Sequence, residues 1–336
     1  MTPPVVSILI PAFNAERWIG ETLESALGQT WPHKEIIVVD DGSADRTAEI
    51  VAGFAPRGVT LVRQDNLGQC AAENRAFREC RGEFVQYLDA DDTLSRDKIA
   101  LQMARIGAEP DAVASGEWAR FYSHPSEATF AREAVWRDLG PVEWLIGAWT
   151  GGLPMMQAAI WLVPRVVALR AGPWDERLSL INDFDYFTRV LLAARQVRFC
   201  EGARLYYRSG RPSSLASRRS RRAWESALLS LELGTAALLE RENSPRARRA
   251  CADVLQEWAY AAYLEDDDVF ERLAARVAVL GGSAVRMRGG VAFRVLDRAV
   301  GWKVAKRLKR FAHRHGFGRV SRLKARLGGR GLHARG

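Results

Sequence analysis

Four short apolar runs set the limits on how this chain can fold. Residues 5–10, 35–39, 59–62 and 84–88 are rich in β-branched and aromatic side chains and are separated by helix-length segments. A continuous apolar run of this length, bounded by turn residues, reads as a strand buried on both faces. Strands alternating with helices need crossover connections, and these give a parallel, doubly wound sheet. In the first intervening segment Trp18/Ile19, Thr22/Leu23 and Ala26/Leu27 recur every four residues and form one apolar face, with Asn14 expected as the helix cap. A second helix is expected from about residue 45 and a third over about 69–81.

The middle of the chain is less regular. Residues 112–115, 159–163, 197–199 and 204–207 read as further strands, and 183–195 as a helix. Beyond about Ala216 only helical patterning remains, in three segments near 218–241, 245–264 and 269–280, after a stretch at 210–217 rich in Gly, Pro and Ser. The expected organisation is a catalytic domain over 1–215 with halves at about 1–115 and 116–215, a helical extension over 216–285 and a basic tail over 286–336.

Charge matters mainly in that tail. The chain carries a net charge of +9, and residues 303–326 hold ten Lys or Arg and no Asp or Glu. Such a run calls for an anionic partner. Val304, Leu308, Phe311, Val320, Leu323 and Leu327 interleave with these cations, the pattern of an interfacial helix on anionic lipid; a frayed basic tail is the plainer reading. No nucleic-acid module is visible, and no nucleic-acid partner is expected. Cys70, Cys80, Cys200 and Cys251 form no metal-ligand spacing and read as reduced thiols. With no apolar stretch long enough to span a bilayer and no signal-peptide pattern, the expected location is cytoplasmic, with the inner membrane face as a docking surface. Trp136, Trp144, Trp149 and Trp161 read as packing residues, and His33, His124, His313, His315 and His333 are scattered.

The chemistry sits at the ends of the apolar runs. The fourth is followed by Asp89-Ala90-Asp91-Asp92, and the second by Asp40-Asp41-Gly42-Ser43. In open α/β sheets ligands bind at the carboxyl ends of strands. Carboxylates placed there can hold a hard divalent cation, which neutralises a diphosphate leaving group. Alone, Asp89 to Asp92 reads equally well as a helix-starting turn, and Asp40-Asp41 reads better as one. Two such turns in one parallel sheet share one edge.

Taken together, Ser7 to Asn14, Glu35 to Ser43 with Asp45 and Thr47, Asn66-Leu67-Gly68, and Tyr87 to Asp92 resemble the family 2 glycosyltransferases of the GT-A fold across about residues 4–215. That resemblance implies a mixed, mostly parallel α/β sheet with a helical C-terminal extension. It also implies a nucleotide-diphosphate sugar donor, Mn2+ or Mg2+, and inversion at the anomeric carbon. It places Pro11, Ala12, Phe13, Asn14, Asp40, Asp41, Ser43, Asn66, Gly68, Asn74, Asp89 and Ala90 around the donor. Asp91 becomes the metal ligand, supported by Asp89 and Asp92, and Asp183 the general base. Gly172 to Glu176 and Asn182 to Phe187 resemble the segment that carries this base, with Asp185 holding Asp183 or a nearby Arg. The acceptor is then a saccharide or lipid-linked saccharide in surface polysaccharide or glycoconjugate assembly.

Two positions depart from the family pattern. Glu73 stands where an Arg is usual, with Arg75 nearby, and Asn182 stands where a Glu is usual. Glu73 would disfavour uracil carbonyls if it faced the base; otherwise it faces solvent. The QxxRW motif of processive members is missing, and Arg221 to Trp224 is a chance near-match, so a single sugar transfer is expected. Two other classes compete. A nucleotidylyltransferase would need a Gly-rich basic loop after the first strand, where Pro11-Ala12-Phe13-Asn14 stands instead. An inactive nucleotide-sugar-binding or assembly protein would bind donor without turnover.

Overall fold

The computed structural model describes residues 3–152, 154–210 and 220–314. Its centre is a five-stranded sheet in the order β3-β2-β1-β4-β7. The strands are β1 (Val6–Ala12), β2 (Lys34–Asp41), β3 (Val59–Gln64), β4 (Phe84–Tyr87) and, further along the chain, β7 (Val163–Pro164). The first four are parallel, and β7 runs antiparallel to β4. The four parallel strands are those expected from the apolar runs, and the antiparallel β7 makes the sheet mixed, as the resemblance implies. Between these strands lie α1 (Ile19–Leu27), α2 (Thr47–Ala52) and α3 (Gln69–Glu79). Ile8, Leu9 and Ile10 are fully buried, as two-sided strand burial requires.

A second sheet of three strands, β5-β8-β6, was not read from the sequence. It comprises β5 (Thr93–Leu94), β6 (Ala112–Phe121) and β8 (Gln196–Arg208), with α4 (Lys98–Ile106) before β6. The two short strands expected at 197–199 and 204–207 are one long strand, whose register against β6 shifts between Gly116 and Glu117. A Cβ at Gly116 would lie 2.2 Å from the Ala203 carbonyl oxygen, so only glycine fits there. The strand expected at 159–163 is a 3-10 turn at Ala158–Ile160 followed by the two residues of β7. Tertiary packing, not apolar content, decides that segment.

Residues 116–215 add α5 (Pro141–Trp149), α6 (Arg165–Ala171) and α7 (Asn182–Ala193). Then follow α8 (Arg221–Arg241), α9 (Pro245–Ala262) and α10 (Asp267–Val279), close to the three helices read from periodicity. Ser220, Ser244 and Asp266 each cap their helix by accepting a backbone N–H three residues on. Two more helices, α11 (Val291–Val300) and α12 (Trp302–Arg314), occupy part of the stretch read only as a basic tail. One continuous apolar core runs from β1 to α10. Trp136, Trp144, Trp149 and Trp161 all lie in it, as packing residues should.

Asn14 does not cap α1; Trp18 occupies that position and Asn14 sits upstream at φ 48°. Its side chain serves the neighbouring loop instead.

Lys98 lies fully buried beneath the turn that precedes β7. Its Nζ donates to Gln86 Oε1 at 2.6 Å and Gln102 Oε1 at 2.7 Å. Those two amides in turn donate to the carbonyls of Ala159 and Ile160. Burial pulls the Lys98 ammonium down to about 7. An unfolded chain therefore binds more protons than the native one from about pH 7 to the free-lysine value of about 10.4. The Lys98 contribution to stability is complete above that window and is lost as pH falls through about 7. The urea midpoint of wild type, measured relative to that of Lys98→Met, should rise as pH rises from 6.5 to 10. A difference independent of pH would show that the buried amine does not titrate in this range.

Candidate functional site

Parallel pairing brings the acidic strand ends to one edge. In the β1–β2 register Ala12 lies opposite Asp40, at the last rung of that pairing. Pro11 and Ala12 are buried there and Phe13 is half-exposed beyond them. Asp40 is fully buried, and neither of its carboxylate oxygens accepts a hydrogen bond among the described residues. The exposed Arg63 guanidinium comes no closer than 3.8 Å. An unsatisfied buried carboxylate at a sheet edge costs free energy unless something outside the chain donates to it.

The neighbouring groups hold the loops in place. Asn14 Oδ1 accepts from the Ala44 N–H at 2.9 Å, and the Asn14 N–H donates to Ser43 Oγ at 2.9 Å. The loops after β1 and β2 are thus stitched together. Asp41 accepts from Gln64 Nε2 at 2.7 Å and from the Leu67 and Gly68 N–H groups at 2.9 Å each, so its carboxylate shapes the 64–68 loop. Asn66 approaches so closely that a Cβ at Gly42 would lie 2.9 Å from its nitrogen. Gly42 is at φ 72° and Gly68 at φ 99°, backbone that favours glycine. Asn74 is tied elsewhere: its amide donates to the Trp174 carbonyl and Glu176 and accepts from the Trp174 N–H, fastening α3 to the segment ahead of α7.

At the end of β4, carboxylate oxygens of Asp89, Asp91 and Asp92 lie within 4.8 Å of one another. Three hard oxygen donors at that spacing fit a divalent cation. Their roles differ. Asp92 is fully buried, accepting from Gln157 Nε2 at 2.8 Å and the Arg208 N–H at 2.8 Å. Burial, then the nearby Asp89 charge, push its carboxyl well above the usual range. Asp92 is therefore a structural member of the cluster. Asp89 is less buried and accepts from Gln69 Nε2 and Gln157 Nε2. Ala90 is buried between them. Arg208 donates through Nε to the Asp91 carbonyl and pairs with Glu21, its guanidinium lying over the Trp18 and Phe121 rings.

Gln69, Gln157 and Arg208 were not read from the sequence. Gln69 follows Gly68 directly, so the Asn66-Leu67-Gly68 turn pointed to it. Gln157 and Arg208 stand 65 and 116 residues from Asp92 and carry no local signal.

Asp183 is the second residue of α7 and half-buried. Its carboxyl is pushed up to about 7, first by burial and then by the Asp89 charge, against two backbone N–H groups that favour the ionised form. A carboxyl poised there can accept a proton near neutrality. Asp185 pairs with Arg189 at 2.8 Å on the same helix. Asn182 donates to Cys70 Sγ at 3.3 Å.

Glu73 does not face solvent. It is fully buried on α3, neither carboxyl oxygen has a hydrogen-bond partner among the described residues, and burial together with Asp89 raises it well above its ordinary value. The solvent-facing alternative is thereby corrected. Burial without a partner makes ionising this group costly. In both states it is neutral below about pH 4.3; above that the unfolded chain ionises first and native stability falls as pH rises toward the folded value. Glu73→Leu should therefore stabilise the protein by about 1–4 kcal/mol near pH 8, and by less near pH 5. Urea denaturation at both pH values checks this, and an equal effect at each would show Glu73 to be ionised or solvated in the native state.

Comparison with known proteins agrees with this geometry. Residues 7–167 match the family model described as Glycosyl transferase family 2. A Bacillus subtilis (strain 168) protein named as glycosyltransferase EpsH is 26% identical over 253 residues, covering 74% of this chain and 73% of that protein. Chondroitin synthase of Escherichia coli is 43% identical over 101 residues, 29% of this chain and 15% of that protein. Several curated relatives are thus matched over less than half of their length. The crystal structure of S. aureus TarS 1-349 in complex with UDP-GlcNAc superposes with a TM-score of 0.66 at 17% identity, covering 93% of this chain and 92% of that one. At that identity the likeness speaks for the fold.

Proposed function

We infer, from the family 2 glycosyltransferase domain of GT-A fold that this chain carries, that it moves one sugar from a nucleotide diphosphate to an acceptor hydroxyl with inversion. The observation that carries the mechanism is Asp183, a carboxyl held near neutrality and electrostatically coupled to Asp89 in the acidic cluster. The acceptor oxygen bonds to the anomeric carbon as the bond from that carbon to the diphosphate oxygen breaks. The hydroxyl proton passes to Asp183, and the departing diphosphate takes the electron pair. Mn2+ or Mg2+, held by Asp91 with Asp89 beside it, would supply charge neutralisation for that leaving group when bound.

Asp40 serves the base. Its two unsatisfied oxygens suit a base with ring or exocyclic N–H donors, and the stitched loops of Asn14, Ser43 and Asn66 wall that end of the sheet. A uridine donor is the first to test, since the imide N–H of uracil can satisfy Asp40; the UDP and UDP-GlcNAc complexes of TarS support that order. The acceptor is a saccharide or lipid-linked saccharide of surface polysaccharide or glycoconjugate assembly.

The last two helices support attachment to an anionic bilayer at the cytoplasmic face. α12 is pinned to the body by Trp302, whose ring packs on Tyr260 and Tyr263, and by Lys306 on the Tyr260 carbonyl. Val304, Leu308 and Phe311 recur at helical spacing and are exposed, as are Val291, Val295 and Val300 on α11. Lys303, Arg307, Lys309 and Arg310 flank that stripe. Exposed apolar side chains edged by cations match an interface of acyl chains and anionic headgroups. No helix among the described residues is long and apolar enough to cross a membrane. Leu308→Asp together with Phe311→Asp should abolish co-sedimentation with phosphatidylglycerol vesicles, while phosphatidylcholine vesicles bind neither form. Equal sedimentation of variant and wild type would refute this attachment.

A panel of UDP-, GDP-, CDP- and dTDP-sugars with Mn2+, Mg2+ or EDTA tests the catalytic reading. One donor should release its nucleotide diphosphate only with metal. Asp91→Ala should abolish metal-dependent donor binding. Asp183→Asn should lower kcat by about 100-fold or more while leaving donor affinity intact. In wild type the rate should rise with pH to about 7 and then level, because the base must be ionised. Donor binding without turnover, unchanged by Asp183→Asn, would instead identify a nucleotide-sugar-binding protein.

A further inference from the structure

The turn that presents Asp183 is strained and is held from outside its own segment. Ile181 lies at φ 51° and ψ 35°, in the left-handed region that a β-branched residue rarely adopts. It stands at the N-cap of α7, where its hydrocarbon side chain has no atom that can accept a backbone N–H. Such a conformation persists only where the surroundings over-determine it.

Those surroundings are one face of α8. Ser230 Oγ donates to the Ile181 carbonyl at 2.7 Å and accepts the Asp185 N–H at 3.3 Å, satisfying groups on both sides of Asp183. Four residues earlier, Ser226 Oγ accepts the Ser179 N–H at 2.7 Å and the Leu180 N–H at 3.0 Å. Four residues later comes Gly234, where a Cβ would lie 2.6 Å from a ring carbon of Phe184. Positions 226, 230 and 234 share one helical stripe, so two hydroxyls and one missing side chain all serve the same turn. Both serines are buried, which shields these bonds from water.

We propose that Ser226 and Ser230 of α8 are positioning residues that hold the Ser179–Asp185 turn in the geometry Asp183 needs to take the acceptor proton. This rests on the reading of Asp183 as the base. Without the hydroxyls, Ile181 is free to relax toward an unstrained backbone, and Asp183 moves with it. A displacement of about 1 Å of a reacting group can cost about 100-fold in rate.

The test uses the full chain with Mn2+ and the donor that the panel above identifies. Ser226→Ala/Ser230→Ala, Ser230→Ala, Ser230→Thr, Asp183→Asn and the triple combination are compared for kcat, KM and nucleotide-diphosphate affinity. The serine variants should lose about 10- to 100-fold in kcat with nucleotide affinity within about twofold of wild type, which also reports intact folding of the donor half. Ser230→Thr, which keeps the hydroxyl, should recover most of the loss. Adding the serine changes to Asp183→Asn should cost nothing further, because both act through one group. Wild-type kcat in the serine variants beside a dead Asp183→Asn, or a serine loss that persists undiminished in the Asp183→Asn background, would overturn the positioning role alone. Full activity in Asp183→Asn would overturn the base reading and the positioning role with it. If the double variant does not fold, Ser230→Ala with its Thr counterpart decides the question by the same readouts.

Discussion

The acidic edge depends on one buried carboxyl. Asp92 accepts from the Gln157 side chain and from the Arg208 backbone, so a single residue at the end of β4 joins the turn before β7 to the last strand of the second sheet. Arg208 extends the joint by donating to the Asp91 carbonyl and pairing with Glu21 on α1. Remove Asp92 and three separate segments lose their common anchor at the place where Asp89 and Asp91 must converge. Burial and the nearby Asp89 charge raise the Asp92 carboxyl well above its usual range, so a negative charge at this anchor is disfavoured.

Much of this was legible in the sequence, for a physical reason. A strand buried on both faces has to be an unbroken apolar run, so β1 to β4 announce themselves, and parallel pairing then fixes which ends share an edge. Asp40, Asp89, Asp91 and Asp92 follow from that geometry. Asp183 came through resemblance to a family segment, and its half-buried place at the start of α7 is compatible with the role given to it. What stayed hidden is what depends on distant contact. Gln157 and Arg208 are polar residues with no periodic or motif signal, and their importance exists only once β8 lies against β5 and β6. The 3-10 turn at Ala158–Ile160 was hidden for the same reason. Its sequence is as apolar as a strand, yet Gln86, Gln102 and Gln157 occupy its backbone groups from the side.

The site also carries groups that stability alone would not select. Among the described residues Asp40 keeps two buried acceptors unsatisfied and the buried Glu73 carboxyl has no hydrogen-bond partner, and Ile181 has a backbone suited to glycine. Elsewhere α8, α9 and α10 are capped by Ser and Asp, and Trp136, Trp144, Trp149 and Trp161 pack in the core. Local rules broken beside an otherwise regular fold mark places where something besides stability acts. For Asp40 the missing donor is supplied by the nucleobase in the proposed complex; for Ile181 the compensation comes from α8.

The Asp92 joint also bears on the order in which the molecule can be completed. Its partners lie at residues 157 and 208, and the turn before α7 draws on α8 beyond them. Loops of this length must close before their contacts return any free energy, which places such contacts late in folding. The four parallel strands and their helices use mostly nearer contacts and need none of these. As the chain emerges from the ribosome, the four parallel strands can pair while the Asp92 joint is still unformed. Under the proposed function this order would put recognition first and reactivity last, with Asp183 fixed only when a helix from the final third of the chain has been made.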